Sequence, residues 1–223
     1  MASKEFFRSP AQRGLTCPVA VRNSPSVVVP IRSIGARHAK RIAAHLLALE
    51  PQDRYLRFGY LANDEQIKRY VAGLNFQRDE IFGIYNRKLE LIAMAHLAFS
   101  TDPELTNCAE FGVSVLAHAR GRGFGARLFD RAAMHSRNKG VQMMFIHALS
   151  ENTAMLNIAR KAGAKVERDG SESEAYLKLQ PADLDSRVTE MVDEQIAQTD
   201  YRLKVQAKKF WNLLTVLQNI RRW

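Results

Sequence analysis

Three glycines at every second position form the most unusual local pattern of the sequence. They lie in RGRGFGARL, residues 120–128, where arginines precede and separate them and an apolar run follows. Because glycine loses more backbone entropy on folding than other residues, such a series indicates positive φ angles or a close approach to another group. A glycine turn at the start of a helix directs several backbone N–H groups at one point, which is the chemistry of phosphate binding. The segment therefore predicts an anion-binding loop.

Other interpretations compete for the same residues. A P-loop is excluded, because GxxxxGK[ST] does not occur in the sequence. Gly121, Gly123 and Ala126 match the GxGxxA of a dinucleotide-binding turn, but AHAR separates them from the preceding strand, where that motif turns at once. A tight glycine turn without a ligand is the remaining alternative. Positive charge from Arg120 and Arg122 favours the anion-binding loop.

The elements beside the loop place it between a strand and a helix. Alternating polarity predicts a strand over residues 109–116, and apolar periodicity predicts a helix from about 124 to 138. Gly140 then ends this helix. VQMMFIHAL, residues 141–149, is apolar on both faces, which predicts a central strand covered on both sides.

The rest of the chain predicts an α/β domain over residues 26–180. Further strands are expected at 26–33, 80–86 and 89–100, and in a last hairpin that turns at Asp169–Gly170. Helices are expected over an apolar stripe that Pro51 ends, after a capping box of Asn63 and Gln66, and before Gly163. This gives a mixed sheet of six or seven strands with helices on both faces. Residues 1–25, basic and rich in proline, are predicted to be a disordered lead-in.

Charge and composition restrict the partners. The chain of 223 residues has a net charge of +10, which suits an anionic ligand, but the basic residues are spread along it, so no specific nucleic acid is predicted. No run is long enough for a transmembrane segment, and the beginning lacks the apolar core of a signal peptide. Two cysteines, Cys17 and Cys108, fit a reducing cytoplasmic compartment, and the six histidines show no metal-ligand spacing, so no metal is expected.

Two motifs in order resemble those of the GNAT N-acetyltransferase superfamily. The family's acetyl-CoA motif, V-x-x-x-x-[QR]-x-x-G-x-[GA], is matched by Val115, Arg120, Gly123 and Gly125. Its next motif, N-x-x-[AM]-x-x-[LI]-x-x-x-x-G, is matched by Asn152, Met155, Ile158 and Gly163. Residues 49–58, LEPQDRYLRF, and the strand AEFGVSVL are similar to segments of the bacterial Pat-type protein lysine acetyltransferases.

The resemblance implies a GNAT-like, mostly antiparallel sheet whose strands 109–116 and 141–149 splay apart around acetyl-CoA. The implied reaction is acetyl transfer to a primary amine, on a protein lysine or a small molecule. A strand N–H, of Val113 or Val115, is implied as donor to the oxyanion, and Asn152 is either a helix cap, a ligand of pantetheine, or both. The implied residues that bind the cosubstrate are Val113, Val115, Arg120, Gly121, Arg122, Gly123, Phe124, Gly125, Ala126 and Asn152.

Glu110 is the candidate catalytic base. A lysine amine with a pKa of about 10.4 is mostly protonated at neutral pH, so a base assists its attack. Strand alternation places Glu110 beside Gly112 and Ser114, whose small side chains are expected to leave room for a substrate. In the Pat-type branch a glutamate at this position is the base; the alternative is a solvated charge at a strand end.

Two other positions bear on activity. Ala159 stands where many family members have a tyrosine acid, which leaves the acid for the thiolate unassigned and keeps a non-catalytic acyl-CoA-binding sensor as the alternative function. In RYLRF, Arg54 and Tyr55 are candidates for the acceptor cleft. The favoured interpretation is that Tyr55, Leu56 and Phe58 only pack the first helices.

The segment after residue 180 predicts one long amphipathic helix, about 60 Å in length over residues 183–222. Acidic residues come early in it and basic residues late, which suits antiparallel pairing of two copies into a homodimer. Packing against the chain's own domain and binding to a membrane surface are the alternatives. The apolar stripe consists of Leu184, Val188, Val192, Ile196, Leu203, Ala207, Phe210, Leu214 and Leu217.

Overall fold

A single twisted sheet organises the computed structural model, which describes residues 29–105 and 107–220. The sheet has seven strands in the order β1-β2-β3-β4-β5-β7-β6. The strands are β1 (Arg32–Ser33), β2 (Glu80–Tyr85), β3 (Leu91–Phe99), β4 (Cys108–Val115), β5 (Met143–Leu149), β6 (Lys165–Asp169) and β7 (Glu172–Lys178). The helices are α1 (Ala39–Leu47), α2 (Pro51–Phe58), α3 (Asp64–Ala72), α4 (Phe124–Asn138), α5 (Thr153–Lys161) and α6 (Leu184–Ile220).

The strands pair antiparallel except for β4 and β5, which are parallel. This confirms the predicted mixed, mostly antiparallel sheet, and the parallel pair is joined by α4 as a crossover helix. The capping box of Asn63 and Gln66 is present at the start of α3. The last hairpin is present, but its two-residue loop is Gly170–Ser171, one residue later than predicted: Asp169 still pairs with Glu172, and Gly170 has φ of +58°.

Two apolar clusters hold helices on the two faces of the sheet. Residues of α1 and α3 pack with Ile81, Leu91 and Met94 on one face. Residues of α4 and α5 pack with Phe82, Ala95 and other strand residues on the opposite face. Because neighbouring residues of β3 enter different clusters, the centre of the sheet is buried on both sides.

Two sequence predictions for the N-terminal half need correction. The strand expected at 26–33 is only the two-residue β1, since Pro30 has no N–H to donate to a neighbouring strand; residues 26–28 and the predicted lead-in 1–25 lie outside the described residues. The first helix ends at Leu47, before Pro51, and Pro51 instead occupies the first turn of a second helix, α2, where its fixed φ is favourable. The sequence pattern did not predict α2.

The final helix packs on the domain through polar side chains. Arg131 of α4, 5% exposed, lies 3.2 Å from Glu190 and 3.3 Å from Glu194 of α6. His135 and Asn138 also hydrogen-bond to Glu190, each at 2.5 Å. Burial alone would raise the pKa of Glu190, but these hydrogen bonds and the Arg131 charge lower that pKa to about 2. The contacts support the packing alternative for this side of the helix.

The opposite side of α6 is apolar and exposed. Its large side chains are between 43% and 82% exposed. Val192, Leu203 and Phe210 lie about half a helical turn around the axis from Glu190 and Glu194. The helix therefore turns Glu190, Glu194, Ala197 and Tyr201 towards its own domain and leaves the stripe residues from Leu184 to Phe210 exposed. The exposed residues are Leu184, Val188, Met191, Val192, Ile196, Leu203, Phe210 and Trp211.

A buried histidine links α1 to the sheet. His45, 2% exposed, donates from Nδ1 to the Leu91 carbonyl oxygen at 2.8 Å. Its Nε2 then accepts from the Ser114 hydroxyl, also at 2.8 Å. Burial lowers the pKa of His45 to about 4, because a charged imidazole would lose its hydration.

We expect His45 to make the protein less stable in mild acid. Below about pH 6.5 the unfolded chain takes up a proton at this residue and the folded chain does not, so the free energy of unfolding falls as pH decreases towards 4. Between pH 7 and pH 5 this amounts to about 2 kcal/mol. Denaturant unfolding at both pH values should show that His45→Gln removes this part of the pH dependence. The exposed His118→Gln is the control, and equal slopes in all three proteins would contradict the assignment.

Candidate active site

The site is a fork between β4 and β5. The two strands pair only where Cys108–Glu110 face Met143–Phe145, and they separate beyond that point. Two cavities open on either side of the fork. The loop cavity, about 660 Å³, is lined by the glycine segment, and the hairpin cavity, about 790 Å³, is lined by β6 and β7. Five residues border both cavities: Leu56, Arg57, Val113, Asn152 and Met155.

The glycine segment presents free backbone donors to the loop cavity. Gly121 and Gly123 have φ of +75° and +73°, and Gly123 begins α4 without a side-chain cap. Within the described residues, the N–H groups of residues 121–126 have no hydrogen-bond partner. Gly125 serves a different purpose, since a Cβ there would lie 3.2 Å from Ile158 Cδ1 of α5. The unpaired N–H groups at a helix start fit an anionic group such as a pyrophosphate.

The side chains of the loop have separate roles. Arg120 borders the loop cavity and forms an ion pair with Asp53 of α2. Arg122 is exposed, with its Cζ 6.0 Å from the Phe124 ring centre, and it does not line the cavity. Phe124, 8% exposed, anchors the start of α4 in the core. The structure therefore brings together all the predicted cosubstrate residues except Arg122.

The backbone of β4 directs donors into the fork. The Leu116 N–H donates to the Ile92 carbonyl of β3, and the pairing of β3 with β4 continues without a register shift. Because N–H directions alternate along a strand, those of Val113 and Val115 point away from β3, towards β5. Val113 borders both cavities and Val115 only the loop cavity.

Asn152 connects the helices that flank the fork. Its Oδ1 accepts from the Met155 N–H at 3.1 Å, which caps α5 as the sequence predicts. Its Nδ2 lies 3.5 Å from the Leu56 carbonyl oxygen of α2. The residue borders both cavities, so its cap role leaves it in reach of a bound molecule.

Glu110 lies on the wall of the hairpin cavity and is exposed. That Gly112 and Ser114 leave room beside it for a substrate stays a prediction: Glu110 and Gly112 both line the hairpin cavity and Ser114 does not. The space directly over Gly112 is occupied. A Cβ at residue 112 would lie 2.7 Å from Arg57 Cζ, so the Arg57 guanidinium fills that space. Ser114 is buried under His45.

Arg57 is the functional candidate that the sequence analysis missed. Its segment RYLRF does line the cleft, through Leu56, Arg57 and Phe58, whereas Arg54 bonds to loop carbonyl oxygens and to Asp64. Glycine in the middle of a strand indicates a close approach by another group. Gly112 was therefore the available signal.

The hairpin cavity is rich in carboxylates. Glu167 and Glu174 face each other across β6 and β7, as do Asp169 and Glu172. Like charges directly opposite in a sheet destabilise it. Among the described residues, Glu167 pairs with Lys165 at 2.7 Å and Glu174 lies 3.8 Å from His147, while Asp169 and Glu172 form no ion pair. The cavity wall thus favours a cation.

Three features are absent from the part of the chain that the structure describes. No three His, Cys, Asp or Glu side chains converge as metal ligands, and no helix is long and apolar enough to cross a membrane. No described tyrosine lines either cavity. Ala159 is fully buried in the core.

Comparison with known proteins gives a family. Residues 42–164 match the model of the acetyltransferase (GNAT) family. The chain is similar in fold to the GNAT domain of S. lividans PAT, with 19% identity, a TM-score of 0.58 and coverage of 69% of this chain and 95% of that one. It is also similar in fold to the ribosomal-protein-alanine N-acetyltransferase of Brucella melitensis, with 15% identity, a TM-score of 0.52 and coverage of 67% of this chain and 99% of that one. A third similar structure is a chimera of Vibrio cholerae spermidine N-acetyltransferase and hSSAT, with 16% identity, a TM-score of 0.52 and coverage of 68% of this chain and 95% of that one. No curated protein matches the sequence.

We expect Gly123→Val to weaken CoA binding at least tenfold, because a β-branched residue disfavours the positive φ that directs the loop N–H groups. Gly140→Val is a matched control: this glycine has φ of +80°, lies just beyond the other end of α4 and has nothing within 4 Å of its Cβ position. Calorimetry with CoA, after denaturant unfolding has confirmed that both variants fold, measures the difference. If both variants bind CoA equally well, the loop is not the phosphate site.

Proposed function

The chain belongs to the GNAT family of acetyltransferases, and we propose that it transfers the acetyl group of acetyl-CoA to the primary amine of a protein lysine or a small molecule. The observation that carries this proposal is the fork between β4 and β5, with unpaired backbone donors on one side and a carboxylate-lined cavity on the other. The loop cavity would hold the cosubstrate and the hairpin cavity the acceptor. The similarity of residues 49–58 to Pat-type enzymes supports a protein lysine.

The cosubstrate residues act by hydrogen bonding and shape. The N–H groups of residues 121–126 would bind the pyrophosphate, with Arg120 released from Asp53 to add positive charge. Val115 and Asn152 would contact the pantetheine arm along the loop cavity. Val113, which borders both cavities, would donate its N–H to the thioester oxygen as negative charge develops there.

Glu110 would remove the proton from the attacking amine, directly or through a water molecule. Its position at the cavity wall, next to the point where the strands separate, supports this role. The opposed carboxylates of β6 and β7 would attract the acceptor in its cationic form, and Glu110 would then accept the proton that the nucleophile must lose. A cytoplasmic location remains a prediction from cysteine content.

We expect Glu110→Gln to lower kcat about a hundredfold at pH 7 while CoA affinity stays unchanged. The deficit should shrink at high pH, where the amine loses its proton without a base. Thiol release, followed across a panel of amines, peptides and amino acids, measures the rate and also identifies the acceptor. Glu151→Gln, an exposed carboxylate outside both cavities, is the control.

Wild-type turnover by the Glu110→Gln variant at pH 7 would return Glu110 to the role of a solvated charge. CoA binding by the wild type without thiol release on any acceptor would favour the alternative, a non-catalytic acyl-CoA sensor.

We also propose that α6 pairs antiparallel with α6 of a second copy. A straight apolar stripe is complementary to itself about a two-fold axis. From Val192 to Phe210 the stripe positions follow alternating steps of four and three residues, the spacing of a coiled coil, with Thr199 and Gln206 as polar members. Glu190 and Glu194 already pair with Arg131 of their own domain. The antiparallel direction of the two helices would therefore be set by other charges, such as Asp185 early in α6 and Arg202 later in it.

Leu203→Asp should turn the dimer into a monomer, because it places a charge in the middle of the stripe. Light scattering on the full-length chain measures the mass. Thr189→Asp adds the same charge at an exposed position beside the stripe and should leave the dimer intact. A monomeric wild type would refute the pairing, and anionic vesicles added to it would show whether the stripe binds a membrane instead. Removing α6 is a poorer test, since Arg131 would be left buried without its carboxylates.

A further inference from the structure

We propose that Arg57 is a catalytic residue that stabilises the negative charge passing from the thioester oxygen to the sulfur of CoA. The inference rests on the proposed acetyl transfer and adds to it a cation that neither motif contains. It starts from a packing observation: the guanidinium lies flat against the backbone of β4, in space that is open only because residue 112 is glycine.

Arg57 lies where the reacting groups must meet. It borders both the loop cavity and the hairpin cavity, as does Val113, the next residue along β4 from Gly112. The Val113 N–H points into the fork in the plane of the sheet, while Arg57 covers the face of β4 that also carries Glu110. A carbonyl oxygen in the fork can therefore receive a backbone donor from one direction and a guanidinium from another.

A hydrogen-bonded chain fixes the position of Arg57. Arg57 Nη2 donates to the Tyr70 hydroxyl at 3.0 Å, because a guanidinium can only donate. Tyr70 then donates to His96 Nδ1 at 2.7 Å, and His96 Nε2 donates to Asp79 at 3.2 Å. Asp79, 7% exposed, also pairs with Arg78. The chain ends in a buried carboxylate, so the guanidinium is held without a direct ion pair.

The charge of Arg57 is available to a ligand. Among the described residues, no carboxylate lies within ion-pair distance of it. Burial first and the Arg57 charge second lower the pKa of His96, which keeps that imidazole neutral. His45 on the other side of Gly112 is also neutral, since burial lowers its pKa. Glu110 lies on the same face of β4 as Gly112 but forms no ion pair with Arg57.

The reaction gives this cation a defined task. The amine nitrogen attacks the thioester carbon and forms the C–N bond, and the carbonyl π electrons move to oxygen. Glu110 takes one proton from the cationic amine before the attack, and the nitrogen releases a second proton to solvent once the C–N bond has formed. The oxyanion then collapses, the C–S bond breaks, and its electron pair leaves on sulfur as the CoA thiolate, which takes a proton from solvent. In each step the negative charge is in the fork, where a fixed cation in a partly buried site stabilises it.

This role also accounts for the missing acid. No described tyrosine lines the cavities, and Ala159 occupies the family position of one while buried in the core. A thiolate stabilised by a guanidinium is a better leaving group and does not need a proton at the moment the C–S bond breaks. Arg57 thus replaces proton donation by charge stabilisation.

The direct test is the acidity of bound CoA, which needs no acceptor. The ultraviolet absorbance of the thiolate is titrated in the complex, and the same titration with desulfo-CoA subtracts the protein's own groups. In Arg57→Gln we expect the acid dissociation constant of the bound thiol to fall by about tenfold or more. Desulfo-CoA affinity should be unchanged. Arg69→Gln, an exposed arginine of α3, is the charge-matched control.

Kinetics separate catalysis from folding. Arg57→Gln should lower kcat about a hundredfold with little effect on the KM for acetyl-CoA. Tyr70→Phe, which removes only the tether, should give a smaller loss in the same direction. Methylguanidine added to Arg57→Ala should restore part of kcat.

A bound thiol equally acidic in the wild type and in Arg57→Gln would overturn the proposal, even if kcat fell, because Arg57 would then act only on the fold. Absence of turnover in a wild type that binds CoA would count against the proposed function. The thiol titration would still support or overturn the electrostatic role of Arg57.

Discussion

The separation of β4 from β5 is the constraint on which the site depends. The two strands pair over three residues and then diverge, so the N–H groups of Val113 and Val115 have no strand to bond. Unpaired backbone donors inside a sheet would ordinarily destabilise it. Here they face two cavities, and a bound molecule can satisfy them. The glycine loop continues the arrangement, since its N–H groups are also unpaired and open to the same space.

A layer of polar side chains lies between the sheet and the first three helices. His45 and Ser114 join α1 to the sheet, while Arg57 reaches Asp79 through Tyr70 and His96. Each group in this layer has a hydrogen-bond partner, which lets polar atoms be buried beside an apolar cluster without a large penalty. Arg57 can only donate, so each hydrogen bond from Arg57 through Tyr70 and His96 to Asp79 has a fixed donor and acceptor. These bonds hold the guanidinium over the fork. The layer therefore contributes to stability and positions charge.

The long C-terminal helix has two sides with different roles. Its polar side neutralises the buried Arg131 through Glu190 and Glu194, and this fastens the helix to α4, whose first turn belongs to the glycine loop. Its apolar side stays exposed along most of the described length. An uncovered stripe of this extent is uncommon on a monomer. One helix thus supports the crossover helix of the domain and offers a surface to a second molecule.

The sequence by itself determined the order of the elements, the glycine loop at the start of α4, the cap at Asn152 and the length of α6, because each depends on local spacing or backbone conformation. It did not predict α2, since a proline is compatible both with the end of one helix and with the first turn of the next; α1 ends already at Leu47, and Pro51 begins α2. Nor could it show that Arg57 lies on Gly112 or that Asp53 pairs with Arg120, because these contacts join residues far apart in the chain. Hydrophobic periodicity indicated that α6 has an apolar stripe. Only the tertiary structure shows which side of the helix the domain covers. The buried Arg131 needs carboxylate partners, so the side with Glu190 and Glu194 faces the domain and the apolar stripe does not.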